Sequence, residues 1–247
     1  MNSNRTFLVL VILTVLAPLA NGALITEQYS FTTAPLPLSP EDGTGAPASD
    51  TRLILSSITQ LTDVNVSFTL TNPAQAGAYN GDYYVTLQHS SGLAVLLNRV
   101  GRIPGSGFSE TLGYGDNGFD ITFDDQALLG DVHLYQTALG GQPVDGDFID
   151  PLTGTWAPDA RLESPLTVVS TDARTSFLSV FNSLDASGTW TLQVLDFNPG
   201  GEARLISWGL ILMGETEPVP ESTQAIACVG LALVGLVWFQ RRRSRAT

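Results

Sequence analysis

The stretch Gly188–Leu212, GTWTLQVLDFNPGGEARLISWGLIL, decides the fold of this chain. In its first part Trp190, Leu192 and Val194 alternate with polar neighbours, the period of two that marks a strand with one buried face. In its last part Leu205, or Ile206, is followed by Trp208, Leu210 and Leu212 in the same rhythm. Asn198-Pro199-Gly200-Gly201 lies between them, a run of turn formers. The pattern predicts a structural hairpin whose two strands each bury a tryptophan, Trp190 and Trp208.

The same period recurs through the chain. Val64, Val66, Phe68 and Leu70 alternate with Asn65, Ser67 and Thr69; Tyr83, Val85 and Leu87 repeat the pattern, and so do Phe119, Ile121 and Phe123. Further strands are expected near Gln28–Thr32, Arg52–Ser57, Leu93–Asn98 and Asp131–Gln136. Clusters of Gly, Pro, Asn and Asp separate these runs. The segment Thr33–Asp50 carries Pro35, Pro37, Pro40 and Pro47 and reads as an extended connector. One helical turn is expected around Thr175–Asn182, where Phe177, Leu178 and Phe181 share a face. About eight to nine short strands with turn signals between them predict an all-β sandwich.

Charge is distributed unevenly over the 247 residues. Arg5, Arg241, Arg242, Arg243 and Arg245 lie near the two ends, which leaves 11 − 5 = 6 arginines against 24 acids, and there is no lysine. Such a surface repels nucleic acid and anionic lipid and argues against both as partners. The single cysteine, Cys228, lies in the apolar tail, so the domain has no disulfide of its own and reads as resting on its core alone.

The two ends read as export signals. Arg5, the apolar stretch Phe7–Ala17 and the small residues Ala20-Asn21-Gly22 make a secretory leader cleaved near Gly22 or Ala23. At the other end Val219-Pro220-Glu221-Ser222 precedes the apolar run Ala225–Phe239 and then Arg241, Arg242 and Arg243. As a helix that run would reach about 22 Å, against a hydrocarbon core of about 30 Å. The arginines would stay on the cytoplasmic side and leave the domain outside. The expected organisation is a signal peptide over residues 1–22, a first strand and connector over 23–50, the sandwich over 51–213, a spacer with the processing motif over 214–224, one transmembrane helix over 225–240 and a cytoplasmic tail over 241–247.

Two resemblances follow from these motifs. The Gly188–Leu212 stretch resembles the last hairpin of the P domain, or Homo B domain, of proprotein convertases and bacterial subtilisin-like proteases. GDYYVTLQHSSGLAVLLNRVG from Gly81 and FDDQA from Phe123 are similar to earlier motifs of that family, with Tyr83 in place of leucine and Ser91 in place of proline. The resemblance spans about Thr51 to Met213 and implies a jelly-roll β-sandwich. In the proteases this domain accompanies a subtilisin-like catalytic domain, but here the D-S/T-G, H-G-T and G-T-S-M-A signatures of the catalytic Asp, His and Ser are missing. The tail resembles the PEP-CTERM sorting signal of Gram-negative bacteria, with Ser222 where that family most often has proline. It implies processing near Pro220 or Glu221 by an exosortase, a membrane transpeptidase, and transfer to the cell surface or extracellular matrix.

Candidate sites within the domain are few. His89 and His133 read as exposed strand residues. Asp145, Asp147 and Asp150, and Asp116, Asp120, Asp124 and Asp125, form two acidic clusters that are candidate calcium ligands or else solvated turn residues. Tyr79, Tyr83, Tyr84 and Tyr114 cluster near loops, either to stack on sugar rings or to pack at sheet edges. The expected function is that of an exported, non-catalytic sandwich that acts by contact with polysaccharide, protein or calcium. The alternatives are an accessory P domain for a separately encoded surface protease, and a hydrolase in its own right.

Overall fold

Alternation is the rule that builds the domain. In β3 (Ile58–Thr71) Val64, Val66, Phe68 and Leu70 are buried, while Asn65, Ser67 and Thr69 are half-buried on the other face. The computed structural model describes residues 22–38, 47–71, 77–141, 150–198 and 203–218. Among these, the remaining strands are β1 (Leu24–Leu38), β2 (Ala48–Ile54), β4 (Tyr83–His89), β5 (Gly92–Asn98), β6 (Phe119–Phe123), β7 (Leu152–Trp156), β8 (Gly188–Asp196) and β9 (Ala203–Thr216). They form one sheet in the order β1-β9-β3-β6-β7 and a second in the order β2-β8-β4-β5. All the pairings are antiparallel except β6 with β7. Inward residues of both sheets, among them Phe68, Phe123 and Leu210 of the first and Val85, Leu87 and Leu192 of the second, merge into one core. The protein is an all-β sandwich, and residues 23–217 form one compact unit.

The pairing of β8 and β9 corrects the expected hairpin. β8 lies between β2 and β4, and β9 lies between β1 and β3, so the two strands belong to different sheets. Alternation reports which face of a strand is buried but not which strand lies beside it, and a turn-rich link serves a change of sheet as well as a hairpin. Trp190 and Trp208 are both buried, as their positions in the alternation require. The indole of Trp190 donates to the Ala186 carbonyl at 3.0 Å. That of Trp208 donates to Asp50 of β2 at 2.6 Å and so links the two sheets.

The uncertain phase of Leu205 and Ile206 has a structural cause. Thr69 faces Ser207, but Leu70 faces Leu205, so Ile206 is an extra residue in β9. This bulge changes the phase, and Leu205 and Trp208 both point inward. The register of β1 shifts at the same level, between Thr32 and Leu36. Thr33, buried there, donates its hydroxyl to the Leu205 and Ile206 carbonyls at 2.7 and 3.0 Å, which satisfies oxygens that the broken ladder leaves open.

Other expectations are corrected here. Strand pairing does not stop at Thr33 but continues through Pro35 and Pro37 to Leu38, and β2 resumes at Ala48. β1 is an edge strand, where a proline has no second neighbour to donate to. The sandwich therefore includes residues of the expected connector. Asp131–Gln136 is not a strand: Val132–Leu134 is a 3-10 turn and Tyr135–Ala138 a helical turn. Asp131 caps the first by accepting from the His133 amide at 2.9 Å, and that local bond outcompetes the alternation. The turn expected near Thr175–Asn182 is present as Leu178–Phe181, with both end residues buried. Among the described residues no helix is long and apolar enough to cross a membrane. The leader up to Asn21, the motif Val219–Ser222, the apolar run and Arg241, Arg242 and Arg243 lie outside the described residues.

Replacing either buried tryptophan with alanine should destabilise the fold by about 3–5 kcal/mol. Urea unfolding of Trp190→Ala and Trp208→Ala measures this. A variant with the parental midpoint would show that its indole does not support the core.

Candidate functional site

Both histidines are buried, which corrects the expectation that they are exposed. His89 stacks on Trp190 with ring centroids 4.0 Å apart and an interplanar angle of 4°. Its Nε2 lies 2.7 Å from the Asp185 carbonyl and its Nδ1 3.1 Å from that of Thr189. The His133 Nδ1 meets Asp159 Oδ2 at 2.7 Å, and its Nε2 faces the Arg102 carbonyl at 3.3 Å. Each ring nitrogen thus faces a carboxylate or carbonyl oxygen rather than the hydroxyl of a serine or threonine nucleophile.

Asp159 and Arg161 are functional in the fold and were missed by sequence reading. Arg161 is 2% exposed. It donates to Asp159 Oδ1 at 3.0 Å, to Asp131 Oδ2 at 2.8 Å and to the Ser170 carbonyl at 2.8 Å. Burial works against its charge, but the hydrogen bonds and charges of Asp131 and Asp159 prevail and hold its pKa above the ordinary value. Arg174 joins them, 3.6 Å from Asp131. The available signal was Pro158-Asp159-Ala160-Arg161, an Asp-x-Arg pair in a domain with very few cations.

The candidate calcium ligands are dispersed. Asp116 is buried and accepts from the hydroxyl of Tyr135 and from Gln136 at 2.7 Å. Asp120 is exposed on β6 and accepts from Thr69. Asp124 caps its own turn through the Gln126 amide. Asp125 accepts from the Leu178 and Ser179 amides at 3.0 and 2.8 Å and so caps the turn that begins there. Asp150 is exposed, and Asp145 and Asp147 lie outside the described residues. Among the described residues no three or more His, Cys, Asp or Glu side chains are grouped to hold a metal.

The tyrosines divide. Tyr83 and Tyr114 are buried and Tyr84 is half-buried, so three of the four belong to the packing. Tyr79, at 47% exposure, stands at the rim of a cleft of about 580 Å³. The cleft is lined also by Asp82, Ser109, Leu112, Gly113, Tyr114, Gly115 and Asn198. It sits at the end of the second sheet where β4 begins and β8 ends.

Its frame is built from two chain segments laced together. The Asn80 and Gly81 amides donate to the carbonyls of Asp116 and Tyr114 at 2.9 and 2.8 Å. The Asn80 side chain accepts from the Gly118 amide at 2.7 Å and donates to the Tyr135 hydroxyl at 3.1 Å. The segments touch through glycine: a Cβ on Gly81 would lie 2.2 Å from the Leu112 carbonyl, and one on Gly113, whose φ is +78°, 2.3 Å from that of Val100.

One carboxyl group, that of Asp82, lines the wall, and Asp196 shares its partner Asn198. Burial raises Asp82 to about 6, although Asn198 and Arg99 act in the other direction. Burial raises Asp196 to about 7, and the Asp82 charge adds to the effect. The Asn198 side-chain amide donates to Asp82, and the Asn198 backbone amide donates to Asp196 at 3.2 Å. Arg99, whose own pKa burial lowers, spends its hydrogen bonds on the Gly81 and Thr111 carbonyls.

No protein family model matches the sequence, and no curated protein does. Among solved structures that match is a serine protease of Aeromonas sobria, at 15% identity and a TM-score of 0.41. The match covers 78% of this chain, which spans 27% of the protease chain.

Asp82 and Asp196 bind a proton more tightly in the folded than in the unfolded state. Their stabilising contribution is complete below the ordinary aspartate range and is lost as pH rises through about 6 and about 7. Asp63, raised by burial and by the Asp124 charge, acts in the same sense. Glu27 acts oppositely. Burial pushes it up, but hydrogen bonds from Ser56, Ser57 and Tyr29 prevail and lower it to about 2, so its contribution is lost only as pH falls from 4.5 towards that value. The melting temperature should therefore be higher at pH 5 than at pH 8 at constant ionic strength, and Asp196→Asn should flatten the difference. A midpoint that rises over that interval would contradict the assignment.

Proposed function

We propose that this chain is an exported, non-catalytic β-sandwich displayed at the surface of a Gram-negative cell or in its extracellular matrix, where it acts by binding through the cleft beside Tyr79. In this reading the sandwich is wired as a P-domain-like jelly roll, and the tail is a PEP-CTERM-type signal that an exosortase-type transpeptidase removes. The observation that supports binding over catalysis is the state of the two histidines. Each is enclosed, with both nitrogens engaged, while the open concavity is lined by aromatic, amide and carboxyl groups. The tail supports export. As a helix the apolar run would reach about 22 Å, short for a permanent span of about 30 Å, and hydrophobic tails that follow a processing motif are removed in other anchoring systems.

Intact-mass measurement of the surface or matrix form from a native host tests this reading. The expected product begins near Ala23 and ends near Pro220 or Glu221. Recovery only of a membrane-bound species that still carries Arg241–Thr247 would overturn the sorting assignment. The purified protein should also leave casein and simple esters intact. Turnover abolished by replacing one serine or histidine would overturn the non-catalytic assignment.

A further inference from the structure

We propose that the cleft beside Tyr79 binds an uncharged polysaccharide, with the Tyr79 ring as its stacking platform and Asp82 and Asn198 as acceptors for sugar hydroxyls. The proposal rests on the binding reading above and names the ligand class.

The chemistry of the lining selects the ligand. Asp82 offers carboxylate oxygens, and the Asn198 side chain, which gives one N–H to Asp82, keeps its carbonyl oxygen as an acceptor. The one cation nearby, Arg99, is 4% exposed and directed at backbone carbonyls. The polar wall therefore favours a ligand rich in donors. The rest of the lining is Ser109, whose hydroxyl can donate or accept, and Tyr79, Leu112, Gly113, Tyr114 and Gly115, which call for an apolar face on the same ligand. A pyranose ring carries both: hydroxyls around its edge and a C–H face that packs on an aromatic ring.

Other classes fit less well. A phosphate or uronate would meet Asp82 and a domain with 24 acids in the whole chain and no lysine. An extended peptide needs donors as well as acceptors along its backbone, and the cleft is not a sheet edge: β4 and β8 beneath it each have a strand on both sides. The volume of about 580 Å³ falls within the range of about 300–1,000 Å³ that holds small ligands, enough for a short stretch of a chain that continues past the rim.

The frame is suited to this use. The hydrogen bonds between segments 78–82 and 113–118 come from the chain itself and fix the frame of the cleft, which lowers the ordering cost of binding. Tyr79 is held through its backbone, in a bridge with Asn117, while its ring stays out of the core.

Affinity electrophoresis of the full-length chain, in a detergent without a sugar headgroup, tests the proposal. Gels would contain dextran, a β-glucan, mannan or galactan, with alginate as the anionic comparison. Retardation by at least one of the neutral polymers is expected. Tyr79→Ala should weaken it about tenfold or more, since an exposed aromatic at a binding site carries a large share of the affinity. Gly115→Phe should do the same by occupying the cleft: a Cβ there meets no atom within 4 Å, and cooperative melting of the variant checks that the fold is kept. Leu55→Ala, exposed at the opposite end of the second sheet, should leave retardation unchanged. No retardation in any neutral gel by a protein that still melts cooperatively would overturn the proposal. So would retardation by alginate alone, or neutral-polymer binding that survives both cleft variants. None of these results alters the processed mass of the exported form, so the display reading is judged separately.

Discussion

Two strands that follow each other in the chain, β8 and β9, lie in opposite sheets, and the rest of the sandwich is arranged around that division. β8 ends at Asp196 beside Tyr83, and β9 begins at Ala203 beside Leu38. Each then serves as an inner strand of its sheet, with β2 and β4 on either side of one and β1 and β3 on either side of the other. Both inner faces must be apolar for the sheets to close on one core, and the chain places a tryptophan on each. The cleft follows from the same division. Where β8 leaves its sheet, Asn198 is carried beside the start of β4, and the side chains of Asp82 and Asn198 meet at the opening.

Closing a sandwich without disulfides leaves long loops to be held by other means. The segment from Pro158 to Ser176 lies along β5: the Asp159 and Ala160 amides donate to the Leu96 and Val95 carbonyls, and the Val95 amide donates to Ser176. This covers an edge that would otherwise expose unpaired backbone groups. It explains why β5 is buried on both faces apart from Leu93. The loop stays in place through Asp159, which accepts from Arg161, His133 and the Asn98 amide at once. A buried pair of this kind adds little net stability over an apolar packing of equal shape, but removing one member strands the other charge. Its role is to fix one path for the loop.

The sequence made the class of fold and most strands legible because burial on one face leaves a period of two that needs no partner to be recognised. Val64 to Leu70 and Phe119 to Phe123 are of that kind. What could not be read were relations between segments. The sheet change after Asp196 carries the same turn residues as a hairpin. The continuation of β1 through Pro35 depends on its being an edge, which only the neighbours decide. The burial of His133 depends on Asp159, distant in the chain and brought near by the loop. Of Tyr79, Tyr83, Tyr84 and Tyr114, Tyr79 is the one that projects from the packing at a cleft, and nothing local distinguishes it from Tyr83 or Tyr114. Within the second acidic cluster Asp116 and Asp125 are held by separate partners, Tyr135 and the Leu178 turn, which the sequence does not announce.

Four of the six arginines between the two ends, Arg99, Arg102, Arg161 and Arg174, join segments of the domain, which leaves few cations to balance its acids. Arg99 ties Gly81 to Thr111, Arg102 ties Glu110 to Pro165, and Arg174 binds the Pro158 and Asp159 carbonyls together. Arg161 reaches Asp131, Asp159 and Ser170. In each case one planar fork spans two or more acceptors, often carbonyls from separate loops, and an ammonium, a compact point charge, cannot reproduce that geometry. These arginines thus do for the loops what covalent cross-links do in disulfide-bonded domains. With the cations spent on this task, the carboxylates outside are left largely unopposed. A ligand approaching the cleft meets acceptors and aromatic surface but little positive charge, and that absence, as much as the groups present, defines what the cleft can hold.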